Sequence, residues 1–537
     1  MKHARKLATL LLALVMVLSL ATTAFAATVS NDTKHSYNAY QIFSGTQNAD
    51  STSLGDVKWG SGINGEAFLS ALKADSRFME GGANIFASCS TAADVAAVLG
   101  GASEDGTAKY GDKSDVAKAF ANVAAQHLTT NATPIASGAT SVALTAGYYL
   151  LVDTTTPSEG DAMNSALLQV TNKGDIKIEK KYSTPTVDKS VKDTDNQWGE
   201  SADWEIGSNV PFQLVGTLPE NYADHETYKY VFHDTLSAGL KYNGDVKVYV
   251  LNGETQTEIT TGFTVDPSAP ATTGGGTLTV TFNNLKVISG VSATSKIVVE
   301  YTSKLLPDAE IGQTGNDNKV KLEYSNNPNQ TGAGVPTTSN TPEDVVLVFT
   351  YELDVTKVDG KENEKKLANA EFVLMNSDKT KIAKVANGKF VEWVDDSTIT
   401  KNEDGTYPAD YTLKSAETTG LFSIVGLDAG TYYLKETKAP AGYNKLNEKI
   451  KIVISATLDK SENNSALTAL TISVDDGTAA NGNLSSGIVT TAVENNSGTT
   501  LPETGGMGTT IFYVLGSILA VGAIVLLVTK KRMSAAD

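Results

Sequence analysis

Three side chains in the last third of the chain place an amine, a carboxyl and a carboxamide on strand faces that read as buried. Successive side chains of a strand face opposite sides. In ELDVTKVDG (352–360), Leu353, Val355 and Lys357 therefore share one face. In TYYLKETKAPAGYN (431–444), Tyr432, Leu434 and Glu436 share one, and in GIVTTAVENN (487–496), Val489, Thr491, Val493 and Asn495 do. Each polar group would be costly to bury alone. Buried together they form a reactive set, because desolvation lowers the pKa of an amine and raises that of a carboxylic acid.

The middle of the chain repeats the pattern with an aspartate. Val187, Lys189 and Val191 share a face in TVDKSV, Phe232, Asp234 and Leu236 in YVFHDTL, and Asn318, Val320, Leu322 and Tyr324 in NKVKLEYSNNP. Asn316 has the same parity as Asn318 but lies further from the apolar run, so two amides compete for one place.

The later set resembles the intramolecular isopeptide sites of CnaB-type immunoglobulin-like domains. Their ETxAPxGY motif is matched by ETKAPAGY, Glu436 to Tyr443. The resemblance implies that Lys357 attacks the Asn495 amide carbon while Glu436 polarises the amide oxygen and shuttles protons. Ammonia leaves, and a neutral amide replaces the buried polar groups. The middle region is similar to the second domain of fimbrial backbone subunits. That implies Lys189 as nucleophile, Asn318 as acceptor and Asp234 as acid. Each bond closes a loop of about 130 residues, which stabilises by about 4–5 kcal/mol if it acts on chain entropy as a disulfide does.

The first region departs from this pattern. Aligning YNAYQIFSG with LDVTKVDG puts Gln41 where the lysine would be. TAGYYLLVD (145–153) faintly echoes DAGTYYLKE (428–436), and the echo puts Val152 at the acid position with Asp153 off by one. No isopeptide bond is expected there.

The elements that must position these groups are β-strands. Runs rich in Val, Thr and Tyr, broken by Gly, Asn and Asp, point to a mainly β fold. About 480 residues between the two ends suggest three domains. We place an N-terminal domain at 27–182, a middle isopeptide domain at 183–334, a linker at 335–344 and a C-terminal CnaB-like domain at 345–500. All three are expected to be tandem immunoglobulin-like (Cna-type) β-sandwiches. The first also has helical insertions, since GEAFLSALKADSRFM, TAADVAAVLGG and DKSDVAKAFANVAAQHL have helical spacing, with Asp and Thr as caps.

The ends carry targeting signals. Residues 1–26 have basic Lys2, Arg5 and Lys6, an apolar run from Leu7 to Leu20, and Ala24 and Ala26 before the expected cut, as in a signal peptide. Near the other end, Leu501, Pro502, Glu503, Thr504 and Gly505 spell LPETG. An apolar segment at 506–529 and a basic tail at 530–537, with Lys530, Lys531 and Arg532, follow it. This resembles the cell-wall sorting signal of Gram-positive surface proteins. The resemblance implies that a sortase cuts between Thr504 and Gly505 and joins Thr504 to an amine.

The chain carries a formal charge of −18, and because both end segments are net basic, the part between them, Ala27 to Thr504, carries −23. That disfavours nucleic acid as a partner. The single cysteine, Cys89, cannot form a disulfide within the chain. No cofactor is expected, nor a metal: His35, His127, His225 and His233 lack ligand spacing. No G-x-S-x-G motif suggests a surface hydrolase.

Taken as a whole, the chain resembles a sortase-assembled pilus backbone subunit. The resemblance implies a secreted, wall-anchored homopolymer served by pilin-specific and housekeeping sortases, with ancillary pilins and peptidoglycan as partners. Thr504 of one copy would join a lysine late in the first domain of the next. In this chain the corresponding stretch is IKIEKKYSTPT, with Lys181 first and Lys180 second. A different class, a wall-anchored monomeric adhesin for host proteins or glycans, fits the same fold. Covalent ladders formed with the pilin sortase would separate the two.

Overall fold

A computed structural model describes residues 26–47, 54–101, 109–111, 114–163, 165–170, 175–178, 183–328, 336–362, 365–461, 466–498 and 507–533. Of these, the residues up to 350, with those in 456–469 and 484–487, form one compact unit. The described residues in 351–455, 470–483 and from 488 onward form the other.

The first unit begins with a mixed α and β region. Strands β1 (Tyr37–Gln47) and β2 (Leu54–Trp59) are followed by helices α1 (Gly65–Ala74), α2 (Ala92–Leu99) and α3 (Asp115–Ala125), and then by β3 (Gly147–Asp153) and β4 (Ser165–Val170). The sheet runs β2-β1-β3-β4, with Thr133–Ile135 also paired to β1. The helices start where caps permit. The side chains of Asn64, Thr91 and Ser114 each accept a backbone N–H of the first turn, and Asp94 completes a capping box with Thr91. Strand β3 explains its own apolar run, GYYLLV. Tyr148 and Leu150 pack beneath the helices with Phe43, Phe68 and Phe120, whereas Tyr149 and Leu151 enter a second core with Val29 and Ile135. A strand covered on both faces has no polar alternation to show.

The rest of the first unit is built on two seven-stranded sheets. One contains β5 (Val187–Lys192), β6 (Asn209–Thr217) and β9 (Lys296–Leu305), in the order β5-β6-β9. The other contains β7 (Tyr230–Leu236), β8 (Gly276–Phe282), β10 (Asn316–Ser325) and β11 (Asp344–Phe349), in the order β11-β10-β7-β8. Phe212 and Val299 from the first sheet share one core with Phe232, Val280 and Leu322 from the second. The stretch read from sequence as a linker contains a strand, Thr338–Asn340, paired with β10, and β11 also pairs with β10. Strands of this second sheet thus extend through Phe349.

In the second unit, β12 (Tyr351–Asp359), β13 (Glu371–Met375), β14 (Leu421–Leu427), β15 (Gly430–Lys438) and β16 (Ile488–Asn495) belong to one eleven-stranded sheet. Six strand spacings separate β15 from β16 along the hydrogen-bonded path. Laid flat, that path would span about 29 Å. Side chains of the two strands nevertheless touch, so the sheet closes back over its own core. Leu353, Val355, Phe372, Leu434 and Val489 are buried there.

Helix α4 (Met507–Met533) includes a stretch, Tyr513–Lys530, long and apolar enough to cross a membrane. The expected signal peptide lies outside the described residues, save for Ala26 at its end, as does the LPETG segment.

Candidate functional site: two buried amine, acid and amide clusters

All six side chains singled out for isopeptide chemistry are buried, and none is more than 1% exposed. They gather into two clusters.

In the second unit, β12 and β16 are parallel neighbours, with Lys357 in register with Val493 and Asp359 with Asn495. Lys357 and Asn495 are thus two residues apart in register on adjacent strands and face the same interior. The Lys357 Nζ donates to the Val493 carbonyl at 2.8 Å. Burial pushes its pKa down to about 8, against the opposing pull of Glu436 and Glu494. Asn495 Nδ2 donates to Glu436 Oε2 at 3.1 Å and to the Asn444 carbonyl at 2.8 Å.

The ETKAPAGYN stretch explains how a carboxyl is kept there. Glu436 sits near the end of β15, and the chain then turns at Pro440–Tyr443, where the Tyr443 N–H reaches the Pro440 carbonyl. Gly442 supplies the positive φ of 87° that the third turn position requires. The returning chain delivers the Asn444 carbonyl to Asn495 and the Leu446 N–H to Glu436 Oε2, at 2.7 Å. Tyr443 ties the turn to β12 by donating to Asp359 Oδ2 at 2.6 Å. That hydroxyl and the Lys361 N–H hold the Asp359 carboxyl well below its usual range. Glu436 Oε1 and Asn495 Oδ1 are buried without hydrogen-bond partners.

In the first unit, the cluster spans the two facing sheets. Lys189 comes from β5; Asp234 and Asn318 come from β7 and β10. Lys189 Nζ lies 2.5 Å from Asp234 Oδ1. Burial lowers the Lys189 pKa and raises that of Asp234, against the opposing pull of each on the other, and so favours the neutral form of both. The competitor amide resolves by its partners. Asn316 accepts from the Glu310 N–H and donates to the carbonyls of Glu310 and Val348, so it closes a loop. Asn318 instead points into the cluster.

Parity did not reveal Tyr301 on β9. Its hydroxyl donates to Asp234 Oδ2, accepts from Asn318 Nδ2 at 2.7 Å and lies 3.3 Å from Lys189 Nζ. The phenol pKa is raised well above its ordinary value, by burial first and by Asp234 second. Its ring stacks on Phe212, over which the Lys189 amine also sits.

The first region is arranged differently. Gln41 Nε2 donates to the Ala146 carbonyl and to Thr145. Asp153 is buried against His35 Nδ1 at 2.5 Å, and His35 Nε2 meets Asp161 at 2.9 Å. Among the described residues, no group of His, Cys, Asp and Glu side chains is arranged to hold a metal ion. Lys180, Lys181 and Leu501 to Gly505 lie outside the described residues.

Comparison with known proteins places these clusters in context. Residues 351–466 match the SpaA prealbumin-like fold domain, and residues 493–534 match the LPXTG cell wall anchor motif. The chain is 24% identical over 416 residues to the trypsin-resistant surface T6 protein of Streptococcus pyogenes serotype M6, covering 66% of this chain and 70% of that one. It is 29% identical over 289 residues to the fimbrial subunit type 2 of Actinomyces naeslundii, covering half of each. The structure of the T6 backbone pilin, described as a modular three-domain protein, matches with a TM-score of 0.51 at 16% identity, over 90% of this chain and all of that one. Together, these matches make the chain similar to Gram-positive surface and fimbrial proteins, with a SpaA-type prealbumin-like domain at 351–466 and an LPXTG wall anchor motif at 493–534.

Proposed function

We propose that the chain is the repeating unit of a covalent surface fibre, closed internally by two Lys–Asn bonds and joined end to end through Thr504. The observation that carries this reading is the pair of buried clusters, each holding a lysine whose pKa burial lowers, beside an acid and an asparagine. In the second unit the bond joins Lys357 to Asn495, with Glu436 as acid. In the first it joins Lys189 to Asn318, with Asp234 as acid. Each ties an early strand to a late strand of its fold, so tension bypasses the sheet hydrogen bonds.

Three modules follow: a first of mixed composition, a second ending near Thr350 and a third from Tyr351. Their separate cores support this division. Polymerisation by a pilin sortase joins Thr504 to Lys181, or failing that Lys180, of the next copy. A head-to-tail contact of this kind does not close on itself and so yields a filament. A housekeeping sortase and peptidoglycan then fix the fibre to the wall.

The test is to express the chain with its pilin sortase and map peptides of the high-mass product. Branched peptides joining Thr504 to Lys181 or Lys180 are expected. A monomer attached only to wall material would return the chain to the adhesin class.

A further inference from the structure

The two clusters differ in how their acid meets the amide. In the second unit, Glu436 touches Asn495 Nδ2 directly, at 3.1 Å. In the first unit the acid is an aspartate, one methylene shorter. Asp234 is in register with Val320 and Asn318 with Leu236, so acid and amide are diagonal neighbours, about 7–8 Å apart along the backbone. Among the described residues no hydrogen bond joins them. The Tyr301 hydroxyl, reaching in from the opposite sheet, lies within hydrogen-bond distance of Asp234, Asn318 Nδ2 and Lys189 Nζ.

We propose that Tyr301 is a catalytic residue of this site, its hydroxyl carrying a proton from the Asp234 carboxyl to the departing Asn318 nitrogen. The inference rests on the proposed Lys189–Asn318 bond.

The Lys189 Nζ lone pair attacks Asn318 Cγ and forms the new C–N bond. Cγ becomes tetrahedral, and Nδ2, until then a donor to the phenol oxygen, gains a lone pair and becomes an acceptor. The hydrogen bond between acid and phenol reverses for this step: the neutral acid, its proton on Oδ2, gives that proton to the phenol oxygen, while the hydroxyl that otherwise donates to Oδ2 turns and passes its own proton to Nδ2. The Cγ–Nδ2 bond breaks and ammonia leaves. Nζ loses its extra proton to Asp234 Oδ1, so the acid ends as it began. Each carboxyl oxygen has one task, set by its neighbour: Oδ1 faces the amine and Oδ2 faces the phenol.

The experiment follows the intact mass of the secreted ectodomain through expression and subsequent incubation, for wild type and for Tyr301→Phe, Lys189→Ala, Asp234→Glu and the Asp234→Glu/Tyr301→Phe double variant. Lys189→Ala marks the mass of a chain lacking only this bond. Tyr301→Phe is expected to form the bond at least about 100-fold more slowly, the scale of one lost proton-transfer group. A purely structural tyrosine would not be replaced by a longer acid. The double variant is therefore expected to regain the bond, because glutamate reaches the amide unaided as Glu436 does. Bond formation in Tyr301→Phe at the wild-type rate overturns the relay, as does a double variant that stays unbonded. A wild-type chain as heavy as Lys189→Ala, after allowance for the substituted side chain, would instead sink the underlying bond and is thereby distinguished.

Discussion

Lys357 and Asn495 lie on neighbouring parallel strands, offset by two residues, with their side chains in the same sealed interior. That offset brings an amine close to a carboxamide while the Val493 carbonyl holds the amine in place. A glutamate from six strands away along the sheet completes the cluster, and it arrives only when the sheet has closed. The reactive geometry is therefore a product of folding.

Replacing Lys357 by alanine removes the third-module bond and leaves the second. The ectodomain should be one ammonia lighter than its own sequence mass, and the module should lose about 5 kcal/mol of loop-closure stability. Calorimetry should show its transition falling while the other transitions stay put. Limited trypsin digestion should cut this module first.

Asn316 and Asn318 have the same parity, and their variants should separate cleanly. Asn318→Ala should abolish the second-module bond. Asn316→Ala should keep it and cost about 1–3 kcal/mol, because the Glu310 and Val348 backbone groups lose their partner. Intact mass reads the first effect and denaturant unfolding the second.

In an Asn495→Ala chain, Lys357 stays free and its protonation can be followed. Its folded pKa, about 8, lies below the ordinary lysine value. Between about 8 and about 10.4 the unfolded chain binds more protons, so stability rises with pH across that window and is lowest below it. Equilibrium unfolding of this variant at pH 7, 8, 9 and 10 checks the sign. In the unaltered chain, bond formation needs the neutral amine. Its rate should fall about tenfold for each pH unit well below 8.

Substituting Lys181 by alanine should abolish the polymer ladder formed with the pilin sortase while leaving both internal bonds intact. Normal ladders would shift the linkage to Lys180 or beyond, and a Lys180→Ala chain decides between these.

Much of the site could be read from sequence because a strand has a period of two. That period alone put Lys189, Asp234, Asn318, Lys357, Glu436 and Asn495 on the same faces as Val, Leu and Phe. It could not rank Asn316 against Asn318, whose parity is equal and whose difference lies in loop contacts. It could not find Tyr301, since a tyrosine among KIVVEYTSKL looks like any core aromatic until the facing sheet supplies Asp234. Nor could it find Tyr443, whose partner Asp359 lies 84 residues away. The strand at Thr338–Asn340 was hidden by a Pro-, Thr- and Asn-rich stretch that reads as a linker and gains its order only by pairing with β10. His35 and Asp153 escaped for a similar reason, since they meet only when β3 reaches the strand start at Tyr37.

The most direct measurement is the intact mass of the folded, unmodified ectodomain. With both bonds formed, the value lies below the sequence mass by two ammonia molecules, and fragment spectra link Lys189 to Asn318 and Lys357 to Asn495. A mass equal to that of the sequence would contradict both bonds.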